Sequence, residues 1–358
     1  MKAPAVIAGI LLIAIVLWDA FETIILSRRV SRKFRLARIF YRITWTPWRA
    51  IALRMRPGNP RENYLGIYGP LSLIFLLATW AFGLICGFAL RSWGLNSAIA
   101  APPGLDGFFA HFYMSGTTFF TLGFGDVTPL TRSGRFFAVV ESGTGLAFLA
   151  MVISYLPILS QAFSRRESNI ALLDARAGSP PTASELLRRH AGDDESLADL
   201  LDEWERWSAE VLESHISFPV LAYYRSQHDN QSWVSALTTI LDTCSLVIVG
   251  MEGSRVAGAA KVTFAMARHA VVDLAQIFSP RRMDIGGSRL HAMELARLKG
   301  RLAESNLDLL PTRQSEERLA EMRSMYERHA EALSRYLVMP LPAWTPPAGA
   351  PDNWQSMA

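Results

Sequence analysis

The sequence predicts an all-α membrane protein in two parts, a membrane half followed by a helical water-soluble half. Three observations predict it. Long uncharged apolar stretches crowd into the first 163 residues, charge crowds into the remainder, and no alternation of strand-like and helix-like segments runs through the second part. A chain of 358 residues has room for two such domains, and with 50% hydrophobic residues its mean hydropathy is positive, which is unusual for a water-soluble protein of this size.

Several function classes are disfavoured at once. The net charge of +4 is modest, and the basic residues gather beside hydrophobic segments, so no nucleic-acid partner is expected. Cys86 and Cys244, the two cysteines, lie far apart, one in an apolar run and one in the charged half, and suggest neither a disulfide framework nor a zinc site. His111, His190, His215, His228, His269, His291 and His329 are scattered without metal-ligand spacing; no nucleophile has a partner base, so no enzyme, cofactor or bound metal is expected.

A hydrocarbon core about 30 Å thick takes roughly 20 apolar helical residues. Residues 63–90 carry no charge and are bracketed by Glu62 and Arg91. A second run, Ser142 to Ser164, extends back to Phe136 across Glu141 and is closed by Arg165 and Arg166. Residues 1–27 form a third segment, uncharged from Ala3 to Trp18 and then interrupted by Asp19 and Glu22. Trp18-Asp19-Ala20-Phe21 is a poor cleavage site, so a retained helix is expected rather than a signal peptide. Asp19 and Glu22, three apart, share a helix face and are expected to pair with Arg28, Arg29 or the second spanning helix.

Orientation follows from the segment 28–62. Between Arg28 and Arg61 stand eleven Lys or Arg and no acid, which holds this segment in the cytoplasm. The N-terminus then faces outside, and the large C-terminal half lies in the cytoplasm. Phe34, Phe40, Tyr41, Ile43, Trp45 and Trp48 interleave with Arg35, Arg38, Arg42 and Arg49. That pattern suits a helix in the headgroup layer, aromatics down and arginines towards anionic lipid over residues 28–56. It equally suits a plain topology signal. Repeated arginines are not spread along a spanning helix, so the first helix is not a voltage sensor.

Between the two clean helices, residues 106–126 hold an apolar stretch, Phe108 to Phe120, too short to cross a bilayer, followed by Thr121-Leu122-Gly123-Phe124-Gly125-Asp126. A re-entrant helix and extended backbone suit this pattern, since irregular backbone at membrane depth must be buried in protein or line water. The hexamer resembles the potassium-channel signature T-V-G-Y-G-D, matching at Thr121, Gly123, Gly125 and Asp126, and residues 63–166 resemble the pore of that family: outer helix 63–90, pore helix and filter 106–126, inner helix 136–164. The departures are Leu122 for valine, Phe124 for tyrosine and Phe120 where many of these channels carry threonine. Phe124 lacks the hydroxyl that can brace the filter, although related channels with Gly-Phe-Gly filters exist.

The resemblance implies a homotetramer in a bacterial inner membrane conducting permeant K+. The filter would replace the ion's hydration shell with rings of carbonyls. Successive carbonyls pointing one way require alternating unusual backbone angles, which Gly123 and Gly125 reach without steric cost. Thr121 can add a hydroxyl ring, Leu122 and Phe124 can pack behind the filter, and Asp126 can sit at the outer mouth and accept a hydrogen bond. Glu141, an acid at membrane depth, is expected to brace the pore helix through Thr117 or Thr118, or to face vestibule water. Gly143 and Gly145 are a gating hinge or small-residue packing; Pro157 kinks the inner gate or is a helix irregularity near the interface. The other readings are a non-selective monovalent cation channel and a non-conducting receptor or scaffold.

Residues 167–339 read as a helical cytoplasmic domain of unassigned ligand or partner. Gly178-Ser179-Pro180-Pro181 is a break, Asp193-Asp194-Glu195 opens a run through Leu201, Trp204 and Trp207, and helical runs follow at 233–249, 256–278, 291–305 and 313–337. A Gly-x-Gly-x-x-Gly loop after a strand is missing, which argues against a nucleotide-binding domain. The run 233–249 is apolar, but its length and Asp242 favour a buried core helix. Residues 340–358, rich in proline and polar residues, are expected to form a flexible tail.

Overall fold

Pro4 in the first turn, where its missing N–H costs nothing, opens helix α1 (Ala3–Ala20), which continues through a π-helical turn, Phe21–Ile25. The computed structural model describes residues 2–26, 36–227, 231–278 and 288–347. Among the described residues the regular structure is helical apart from a ribbon of two two-residue strands, and the chain divides into one unit of residues 1–48 and 67–161 and a second of residues 49–66 and 162–358. The expected pairing of Asp19 and Glu22 with Arg28 or Arg29 lies outside the described residues, as do His228 and the end of the expected tail.

In the first unit, α1 packs on α3 (Asn59–Gly94) in antiparallel fashion: Lys2 N donates to Gly94 O at 2.7 Å, and Trp80 Nε1 donates to Asp19 at the other end. Glycines make the approach close. A Cβ on Gly9 would lie 2.5 Å from Gly87 O, one on Gly87 2.6 Å from Ile13 Cγ1, and one on Gly83 2.9 Å from Val16 Cγ2. Small residues let two backbones meet where lipid supplies no hydrophobic drive. Asp19 is buried and accepts from Trp80 Nε1 and from Ala37 N in the first turn of α2 (Leu36–Arg54), both at 3.0 Å. Glu22 accepts from Trp18 Nε1 at 2.7 Å.

Helix α2 corrects one expectation. Its aromatics Tyr41 and Trp45 turn into the protein; the Trp45 and Trp48 rings lie 4.8 and 5.6 Å from that of Tyr68 on α3, and Thr44 Oγ1 is 2.8 Å from Tyr68 Oη. Large rings with a polar tip are satisfied by such a neighbour, and Tyr68 supplies it.

After α3, β1 (Ile99–Ala100) pairs antiparallel with β2 (Thr128–Pro129), clasping the loops on either side of α4 (Gly107–Phe119). Helix α5 (Arg132–Ala177) is longer than the expected 136–164, passes through Pro157 without ending, and belongs to both units. Arg165 and Arg166 therefore do not terminate it. Arg166 is buried in the second unit, where its guanidinium donates to Leu221 O at 2.9 Å and Tyr224 O at 3.0 Å. His215 Nδ1 lies 2.8 Å from Val211 O, so the ring donates there and offers Nε2 to Arg166 Nη1 at 3.3 Å. Burial, then the neighbouring guanidinium, pushes His215 down to about 3, keeping it neutral.

The rest of the second unit is a helical bundle: α6 (Ala183–Arg189), α7 (Asp194–Ser217), α8 (Trp233–Gly250), α9 (Arg255–Phe278), α10 (Ala292–Ala303), α11 (Arg313–Ser324) and α12 (Glu327–Leu337). α8 is long and apolar enough to cross a membrane, yet residues Trp233 to Val249 are all buried among neighbouring helices. Asp242 in its middle accepts from Arg289 Nη2 at 2.7 and 3.0 Å and from the Tyr326 hydroxyl. Burial pushes the Asp242 carboxyl up against the pull of that guanidinium. The expected single run 313–337 is two helices, and the tail expectation fails over its first residues. Trp344 is 1% exposed, within 5.6 Å of the Arg289 and Arg323 guanidinium carbons, and its carbonyl accepts from Ser184 N. One tryptophan with two cationic neighbours outweighs the surrounding prolines.

Gly9→Ala should lower the stability of the detergent-solubilised protein by about 1–3 kcal/mol, because its methyl meets backbone atoms that cannot move aside. Gly66→Ala, with open space around it, should be neutral or slightly stabilising. Thermal unfolding followed by size-exclusion chromatography reads both.

Candidate functional site

The short apolar helix α4 is locked to both long helices around it. Ser115 places its hydroxyl 2.8 Å from Ile85 O of α3 and donates to the Glu141 carboxylate of α5. Ser92 Oγ of α3 meets His111 Nδ1 at 3.0 Å. Arg91 lies over the Phe137 ring, 3.3 Å from its centroid. At the other end of α4, the Phe119 backbone lies directly against Gly145; a Cβ there would fall 1.9 Å from Phe119 O. Gly145 is thus a packing residue, whereas a Cβ on Gly143 would meet nothing within 4 Å of it in the same chain.

The expectation that Glu141 braces α4 through Thr117 or Thr118 is corrected: the hydroxyl it engages is that of Ser115. Thr117 Oγ1 instead donates to Met114 O at 3.0 Å. Both threonines act through their carbonyls. Thr118 O accepts from Thr121 N at 3.1 Å, and Thr117 O accepts from Leu122 N at 2.8 Å. These bonds turn the chain out of α4 and into the hexamer.

Within the hexamer φ is +56° at Thr121, +56° at Gly123 and +79° at Gly125. Every second residue is therefore left-handed, the alternation that points successive carbonyls to one side. The glycines are needed for this conformation rather than for room, since a Cβ on either would touch nothing within 4 Å. Thr121, β-branched and left-handed, is a true backbone outlier; such strain costs on the order of 1–3 kcal/mol and clusters at functional sites. Leu122 and Phe124 are 57% and 66% exposed in the single chain, so the same chain leaves most of each uncovered. Asp126 closes the hexamer, accepting from Tyr113 Oη at 3.0 Å and from Val127 N at 3.1 Å.

Sequence reasoning missed Ser115, Tyr113 and the Phe119–Gly145 contact. A signal existed for Ser115, a hydroxyl in an apolar stretch that had to find a partner. Tyr113 gave none, because an aromatic in an apolar helix reads as packing.

Residues 74–160 match a family model described as an ion channel. The matched segment contains most of α3, all of α4, the hexamer and α5 as far as Ser160, so an ion-channel pore is supported there. With the long apolar helices α1, α3 and α5, the match marks a membrane protein. Neither a curated protein nor a solved structure matches the chain.

Gly145→Ala should displace the end of α4 and abolish recovery of a stable folded protein, while Gly143→Ala should be recovered at wild-type level. Equal tolerance at both positions would remove the packing role assigned to Gly145.

Proposed function

We propose that the chain is one subunit of a homotetrameric, potassium-selective channel that conducts K+ passively. The observation that carries this reading is the left-handed backbone at Thr121, Gly123 and Gly125, followed by an anchored acid. Four copies around an axis would turn the carbonyls of residues 121–124 into stacked rings that replace the ion's water shell. The same assembly would bury Leu122 and Phe124, which one chain leaves exposed. Asp126, held by Tyr113, raises cation concentration at the outer mouth, and the carbonyl end of α4 adds partial negative charge below it.

Thr121, Leu122, Gly123, Phe124, Gly125 and Asp126 form the filter in this reading. Thr117 and Thr118 fix its entry by their carbonyls, and Glu141 holds α4 through Ser115. Gly143 and Pro157 are the remaining candidates for bending α5 on opening. The basic segment 28–62 faces the cytoplasm, the N-terminus lies outside, and the bundle of the second unit is cytoplasmic, in a bacterial inner membrane.

The reversal potential of the purified protein in a planar bilayer, K+ on one side and Na+ on the other, should lie close to the K+ equilibrium value. Gly123→Ala should abolish the current, because alanine at positive φ disrupts the carbonyl row. Robust current reversing near zero would mean a non-selective pore and assign that loss to Leu122 and Phe124. Absence of current in every condition would favour a non-conducting receptor.

A further inference from the structure

We propose that the helical bundle of the second unit carries a binding groove for an extended, proline-flanked tryptophan peptide, and that the chain's own residues 340–347 fill it as a releasable strap. The groove lies wholly within that unit and does not depend on the pore reading.

Residues 340–347, Pro-Leu-Pro-Ala-Trp-Thr-Pro-Pro, follow α12 without forming helix or strand. The bundle meets them as it would meet a separate peptide. Carbonyls two residues apart accept from three different elements: Pro342 O from Arg289 Nη1 at 2.8 Å, Trp344 O from Ser184 N at 3.2 Å, and Pro346 O from Arg297 Nη2 at 3.2 Å. Between them the Trp344 ring is buried beside the guanidiniums of Arg289 and Arg323. Extended peptides are recognised in this way, by main-chain hydrogen bonds for affinity and a pocketed side chain for specificity. Prolines suit the role. They hold the chain extended and have no N–H for burial to leave unmet.

The groove side is fixed by contacts of its own. Arg289 donates Nε to Glu327 at 3.0 Å and Nη2 to Asp242 at 2.7 Å, which leaves Nη1 for the Pro342 carbonyl. Arg323 Nη2 is held by Glu327 at 2.7 Å. Donors set in place beforehand lower the cost of binding a peptide.

The segment is attached as a strap rather than as core. No amide of 340–347 donates to a described residue, so the segment can leave without breaking a helix or sheet ladder. Pro340 and Pro347, at its ends, are exposed. Its fit is incomplete: Ser184 Oγ, Trp344 Nε1 and Thr345 Oγ1 are buried with no hydrogen-bond partner among the described residues. Each unmet group weakens the self-contact. The occupant that displaces the strap is a partner protein's segment with the same carbonyl spacing and indole, and with an added acceptor for Ser184 Oγ.

The test uses the full chain in detergent, with a thrombin site inserted between Met339 and Pro340. A fluorescein-labelled peptide of residues 340–347 should leave its anisotropy unchanged on the uncut chain. After cleavage and removal of the released segment it should bind. Trp344→Ala in the peptide should weaken binding by about a hundredfold. Arg297→Gln in the chain should weaken it by about fivefold. Arg313→Gln, at the far end of α11 from Arg323, should leave it unchanged. Trp344→Ala in the uncut chain should also open the groove to the wild-type peptide. A cut segment that never leaves, absence of binding by both opened chains while they still melt cooperatively, or equal binding of the alanine peptide would overturn the proposal. So would loss of cooperative melting in both opened chains, which would make 340–347 part of the core. Exchange of the segment between uncut copies, read by energy transfer between donor- and acceptor-labelled chains, would assign the groove to a second copy and overturn the choice of partner.

Discussion

The fold around the hexamer is arranged to hold three alternate residues, Thr121, Gly123 and Gly125, in left-handed backbone conformations. That backbone has no helix or sheet ladder of its own. Its amides at Thr121 and Leu122 are taken up by the last carbonyls of α4, groups a helix end leaves open in any case. The position of α4 therefore decides the position of the hexamer. Ser115, His111 and the Phe119 backbone fix α4 against α3 and α5, and Tyr113 fixes the far end of the hexamer through Asp126.

The same logic explains the small residues. Gly145 admits a carbonyl where a methyl would not fit, and Gly9, Gly83 and Gly87 admit a neighbouring helix. Several buried polar groups in this first unit find a partner on another element, as with Asp19 between α2 and α3. An acid at that depth is tolerable only when amide and indole donors satisfy it. In the second unit the corresponding device is Asp242, which sits in the middle of an apolar helix against Arg289 and Tyr326. A pair so deeply buried adds little net stability but is costly to break, which favours one arrangement of α8 among its neighbours.

Much of this was legible because it follows from local rules. Uncharged length located α3 and α5, and glycine spacing located the hexamer. Asp242 marked α8 as a core helix before its surroundings were known. What was not legible depends on partners far away in sequence. Glu141 announced a bracing role but not its partner, since Ser115, Thr117 and Thr118 lie within one helical turn of each other. The aromatics of α2 looked lipid-facing until Tyr68 was placed beside them. Arg166 looked like a terminal charge because burial of an arginine is unexpected until four acceptors, Glu167, His215 and the carbonyls of Leu221 and Tyr224, surround it. Trp344 lay in a proline-rich stretch, where composition predicts looseness and a single ring overrides it.

The central claim is that the alternating backbone of residues 121–125 builds cation sites from carbonyl oxygens. Anomalous diffraction from crystals of the full chain grown with thallium in place of potassium tests it most directly. The account predicts a row of peaks on the symmetry axis, lying between rings of the carbonyls of Thr121, Leu122, Gly123 and Phe124. Thallium found only at the Asp126 carboxylate, with none between the carbonyl rings, would contradict it.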